Sequence, residues 1–113
     1  MADELELLRG TLDLFILKTL TWGPMHGLAV VRWIERVTDS RLQVEEGALY
    51  PALHRMEQKG WLDAEWGLTE QNRRAKFYKL TPAGRRQFAA QRSIWERYTH
   101  LAAVLLSARE VAT

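Results

Sequence analysis

Residues 47–58 read Gly-Ala-Leu-Tyr-Pro-Ala-Leu-His-Arg-Met-Glu-Gln. Wound as a helix at about 100° per residue, they divide into two faces. Leu49, Leu53 and Met56 share one narrow arc, a core stripe. The opposite arc holds Gly47, Pro51, His54 and Gln58, flanked by Ala48 and Arg55 on one side and Tyr50 on the other. A helix that enters a groove of nucleic acid needs small residues at its tip and polar groups behind them, so that backbone and side chains both reach the surface. Gly47 and Ala48 meet the first need; Tyr50, His54 and Arg55 meet the second. A tyrosine hydroxyl donates to phosphate, and an arginine reaches phosphate or the guanine edge. The competing reading packs Tyr50 and leaves His54 merely solvated. Glu45 and Glu46, just upstream, suit a helix N-terminus electrostatically; the other option is acceptance from a cytosine amino group.

A second group of candidates is Asn72-Arg73-Arg74 with Lys76. Bases at a protruding turn suit phosphate or minor-groove contact, and each phosphate neutralised steepens the salt dependence of binding by ~0.9 in the log–log slope. An ordinary solvated turn is the alternative. The net charge of +2, from 16 Lys+Arg and 14 Asp+Glu, is too mild to decide. Its distribution says more: Arg73, Arg74, Lys76, Lys79, Arg85, Arg86, Arg92 and Arg97 face a single acid, Glu96, across that stretch.

Catalysis finds little footing. His26, His54 and His100 fall on different predicted elements, and no zinc-protease, nucleophile-elbow or phosphate-loop motif occurs. With no cysteine there is neither disulfide nor thiolate chemistry, which fits a reducing, cytoplasmic setting. The expectation is a non-enzyme without metal or cofactor. Apolar runs fall short of the ~18–20 residues a bilayer span needs, and the acidic start, Met1-Ala-Asp-Glu-Leu-Glu6, does not read as a secretory leader.

The elements that must position these groups follow from periodicity. Leu8, Leu12, Phe15, Ile16, Thr19 and Leu20 recur at three- and four-residue steps, predicting a helix from about Arg9 to Leu20 that Gly23-Pro24 ends. A second helix is expected from His26, which caps or packs at its turn, to Thr38, with Leu28, Val31, Ile34 and Val37 or Thr38 on one side. Asp39-Ser40-Arg41 is a polar break. The third helix runs to Lys59 before Gly60, and Pro51 places its start near Glu46 to Ala48, since proline is tolerated only close to the first turn. Trp61–Trp66 and Ala75–Leu80 read as two strands around a polar loop, a β-hairpin. Thr81 then caps, and Pro82 opens, a long helix reaching about Ser107. The fold class is mainly α with a small β-hairpin. Residues 1–80 have the layout of a winged helix-turn-helix, and 81–113 supply a C-terminal helix continuous with it.

That last helix repeats Phe88, Gln91, Trp95, Tyr98, Ala102 and Leu105 as a heptad-like seam, widened by Ile94, Leu101 and Val104. A core of this size cannot cover it. A second copy would, contributing the equivalent helix and Leu8, Leu12 and Phe15 of helix one. Such a homodimer sets two recognition helices about one turn apart on double-stranded DNA, hence a pseudo-palindromic operator.

The run from Gly47 to Gly60, followed by Phe77-Tyr-Lys-Leu-Thr-Pro-Ala-Gly84, resembles the PadR family of bacterial transcriptional regulators. Leu12-Asp-Leu-Phe-Ile-Leu17 and His26-Gly27 support it, and the likeness covers roughly Leu8 to Leu106, in the manner of the short subfamily with a single long C-terminal helix. The resemblance implies a homodimeric winged-helix repressor that is often released by a small effector. It matches Tyr50 onto the family's phosphate-contacting tyrosine and makes Trp95 a candidate to stack an aromatic effector, against simple interface packing. Departures are Leu28, where the family is often aromatic, and the acids Glu45 and Glu46. The rival functions are a winged-helix protein-interaction adaptor and a small-molecule carrier without DNA binding.

Overall fold

Gly10 stands at φ +88°, a conformation that ends any helix reaching back from Leu12. The first helix, α1 (Leu12–Leu20), therefore starts three residues later than the apolar spacing predicts. The computed structural model describes residues 10–110 and the backbone of Leu5–Glu6; Leu8 and Arg9 lie outside the described residues. The backbone of Leu5–Glu6 (β1) pairs in parallel with Leu42–Gln43 (β3). Between them in the chain lie α1, the short strand Met25–His26 (β2) and helix α2 (Gly27–Val37). Helix α3 (Glu46–Gln58), the strands β4 (Leu62–Leu68) and β5 (Arg74–Leu80), and α4 (Pro82–Ser107) complete the order.

The breaks between elements have local causes. Asp39 and Ser40 both take left-handed conformations, φ 52° and 58°, and turn the chain after α2. At the end of α3, Gly60 (φ +79°) donates to the Glu57 carbonyl while the Trp61 N–H donates to Met56, a Schellman motif that closes the last helical carbonyls. The hairpin loop is shorter than predicted, 69–73. Asn72 N–H donates to the Thr69 carbonyl at 2.9 Å and Asn72 sits at φ 60°, so a type I turn followed by one left-handed residue lets both strands run to residues 68 and 74. β2 adds a third strand on the outer edge of β5, in the order β2-β5-β4.

Ile16, Leu17 and Leu20 of α1, Val30 and Ile34 of α2, and Leu49, Leu53 and Met56 of α3 meet Leu62, Tyr78 and Leu80 at the base of the hairpin. The core stripe of α3 is as predicted, with Ala52 added to it. α4 packs on α1, and Phe88 in its first third lies against the core. Its 26 residues span about 39 Å. The Cα radius of gyration is 16.8 Å, against roughly 13 Å for a compact chain of this length. The excess is α4.

Thr81 joins α4 to the hairpin. Its N–H donates to the Trp61 carbonyl at 3.0 Å, its hydroxyl donates to Gly60 O at 2.6 Å, and the same oxygen accepts from Gly84 N–H at 3.0 Å as the helix N-cap. Gly84 is seated so tightly that a Cβ there would run into the Trp61 carbonyl oxygen. That oxygen is backbone and cannot step aside. Gly84→Ala gains about 1 kcal/mol of helix propensity but overpacks by more. The expected result is a thermal midpoint lowered by roughly 5–15 °C, read by circular dichroism; an unchanged or raised midpoint would mean the helix is not anchored at this point.

Candidate nucleic-acid interface

α3 carries its core stripe inward and leaves Glu45, Glu46, Gly47, Ala48, Tyr50, Pro51, His54, Arg55 and Gln58 exposed. The exposed arc predicted from the spacing is thus one continuous face of the helix. Glu45 occupies the N-cap position, but its side chain makes no capping bond; its carbonyl accepts from Ala48 and Leu49 instead. Within the chain, the charge of Glu45 and Glu46 favours the helix terminus without a capping bond from the Glu45 side chain. Pro51 sits inside the helix, where it can offer no N–H to the carbonyl one turn back.

Tyr50 combines packing with access. A Cβ at Gly27 would lie 2.7 Å from its Cε1 and 3.1 Å from its hydroxyl, so the ring rests against the bare backbone where α2 begins. The residue is still 46% exposed. His26, immediately before, caps α2 by accepting the Ala29 N–H on Nδ1 at 3.3 Å and meets the Phe77 ring edge-on at 5.4 Å between centroids. The His26-Gly27 pair therefore serves α3 from outside it: the histidine starts α2 and the glycine leaves room for Tyr50.

Two of the candidate bases are engaged within the chain. Arg55 Nη2 forms an ion pair with Asp13 Oδ1 of α1. Lys76 Nζ donates to Glu57 Oε1 of α3 at 2.9 Å, tying β5 to that helix; the bond to Glu57 raises the lysine above its ordinary pKa of 10.5. Burial pushes the neighbouring Tyr78 phenol up as well. Arg73 and Arg74 are exposed and in no ion pair among the described residues. The Arg74 guanidinium lies over the Trp66 ring, 4.9 Å from its centroid. Asp13, Glu57 and Trp66 were not among the candidate site residues read from the sequence, and Gly27 was named there only with His26 as part of the family resemblance. Period-two counting from Leu62 could have placed Trp66 beside Arg74, whereas the pairs between helices have no signal in spacing.

The candidate interface residues divide along the molecule. Leu12, Phe15 and Phe88 are half-buried against the core. Trp95 and Ala102 are half-buried, while Tyr98 is 66% and Leu105 75% exposed. The Trp95 and Tyr98 rings stand 6.4 Å apart. Ile94, Leu101, Val104 and Leu106 extend the same exposed apolar surface. Among the described residues, no group of three His, Asp or Glu side chains could hold a metal ion, and no helix is long and apolar enough to cross a membrane.

The sequence profile of the transcriptional regulator PadR-like family matches residues 16–90. A transcriptional regulator of Mycobacterium tuberculosis is 32% identical over 80% of this chain and 81% of its own length. Among solved structures, a transcriptional regulator from Clostridium thermocellum superposes with a TM-score of 0.77 at 28% identity, covering 84% of this chain and 92% of that one. A PadR family transcriptional regulator from Eggerthella lenta gives 0.74 at 29% identity, covering 89% and 86%. The matched segment contains α2, α3, the three-stranded wing and the Thr81 junction, and with that extent of agreement the chain belongs to the PadR-like family of transcriptional regulators.

Proposed function

We propose that the protein is a homodimeric repressor that reads a pseudo-palindromic operator, with α3 in the major groove and the 69–73 turn on the adjacent phosphates or minor groove. The observation that carries this reading is the shared presentation of the α3 arc and the wing. Tyr50, His54 and the small tip residues Gly47 and Ala48 are exposed on one helix, and the Glu57–Lys76 bond holds the arginine-bearing wing against that helix. Residues 1–80 form the DNA-reading head and 81–113 the dimerisation helix. The exposed apolar stripe of α4 supports a second copy as its cover, with Leu12 and Phe15 at its margin. Trp95, half-buried beside Tyr98, is the position where a flat aromatic effector would enter between protomers and shift the two heads.

Three outcomes are expected. In fluorescence anisotropy, a labelled duplex carrying the protein's own upstream region binds well above a scrambled control. Replacing Arg73 and Arg74 by alanine lowers the log–log salt slope by about 2; equal, weak binding to both duplexes by the wild type would count against operator recognition. Gly27→Ala forces the Tyr50 ring off its seat, and Tyr50→Phe removes the hydroxyl. Each weakens operator binding about tenfold or more with little change in thermal midpoint, and retained affinity in both would remove Tyr50 from the interface. In sedimentation equilibrium the wild type runs at twice its sequence mass, and Leu101→Glu with Leu105→Glu shifts it to the monomer. A monomeric wild type at tens of micromolar would end the dimer reading.

A further inference from the structure

The wing has one face that begins in the core and ends in solvent. Along β4, Leu62, Ala64, Trp66 and Leu68 alternate onto the same side. Their partners across the hairpin are Leu80, Tyr78, Lys76 and Arg74. The first two pairs are buried or half-buried at the base of the head. The outer two carry a tryptophan that is 58% exposed and a leucine that is 64% exposed, side by side on a two-stranded ribbon. Trp66 adds little to the core from that position, and a large exposed indole on a wing calls for another role.

Its neighbours supply one. Lys76, directly opposite Trp66, has its ammonium committed to Glu57. Arg74, one diagonal step away, lies over the indole with no carboxylate partner among the described residues. A guanidinium is planar and weakly hydrated, so it stacks flat on an aromatic face more readily than an ammonium, and stacking removes much of the rotamer freedom that a free arginine must lose on binding. A narrow, A·T-rich minor groove has enhanced negative potential that draws in an arginine of this kind, and an aliphatic side chain such as Leu68 is the type that lies against sugars and base edges there.

We propose that Trp66 is a positioning residue that holds Arg74 for entry into the minor groove of duplex DNA, giving the wing a preference for a narrow, A·T-rich groove. This rests on the DNA-binding reading above and adds to it a shape-dependent contribution from an indole outside the recognition helix.

The test compares two labelled 25-base-pair duplexes, an uninterrupted A-tract and an alternating G·C sequence, with the own-upstream duplex as reference, all at low salt. The wild type binds the A-tract about two- to fivefold more tightly than the G·C duplex. Trp66→Ala brings that ratio near one while leaving the salt slope unchanged, because no charge is removed. Arg74→Ala also flattens the ratio and lowers the slope by ~0.9. Trp66→Phe, which keeps an aromatic face, retains most of the preference. Trp66→Ala should unfold within a few degrees of wild type, separating positioning from folding. The proposal is overturned if Trp66→Ala keeps the wild-type ratio, or if the wild type shows no preference while still binding its own upstream duplex. Absence of binding to all three duplexes would overturn the DNA-binding reading and this proposal together.

Discussion

Three hydrogen bonds on Thr81 and the missing side chain of Gly84 determine how the two ends of this molecule relate. The threonine ties the first turn of α4 to the backbone of Gly60 and Trp61, the two residues that close the Schellman motif at the end of α3. α3, the base of the wing and the root of α4 therefore share one short stretch of backbone. Pro82 adds a fixed φ at a helical position that loses no donor. Were this junction a flexible linker, the long helix could lie at any angle to the head, and its apolar stripe would carry no information about where α3 points. With the junction in place, the root of α4 is fixed relative to α3 and the base of the wing.

The ion pairs act at a different level. Both interhelical and helix–wing pairs are partly exposed, and such pairs contribute about 0–1 kcal/mol each, so burial of the core and not charge pairing holds the head together. Their effect is selective. Asp13 occupies Arg55 and Glu57 occupies Lys76, leaving Arg73, Arg74 and Lys79 as cations of the wing in no ion pair among the described residues. The bond to Glu57 raises Lys76 above its ordinary pKa, so what the bond contributes to the fold is present at neutral pH and is lost as pH climbs through that raised value.

The long helices and the hairpin were legible because their signals are periodic and repeated. So were the Thr81 cap, the first-turn proline and the overhang of α4, each of which is a local rule. What escaped was short or non-local. β1, β2 and β3 are two residues each, too short for alternation to register. Gly10 cut the first helix against the apolar pattern, since a left-handed glycine overrides three favourable residues. Arg55 and Asp13 are 42 residues apart, and the seat of Tyr50 on Gly27 likewise depends on how α2 and α3 cross, which only the assembled core determines. Arg55 and Lys76 could be recognised as bases from sequence; that each has an internal acid could not.

The uninterrupted length of α4 also constrains how this chain can change. Inserting one residue between Phe88 and Trp95 would rotate everything beyond it by about 100° and advance it by about 1.5 Å. The distal stripe would then face away from the side on which Phe88 meets the core, and its angular phase relative to α3 would be lost. An added residue in the 69–73 turn would alter only the turn. The overhanging helix is in effect a ruler whose graduations are counted in residues, so lineages of this protein are expected to vary it by substitution and to place insertions in the wing or beyond Ser107.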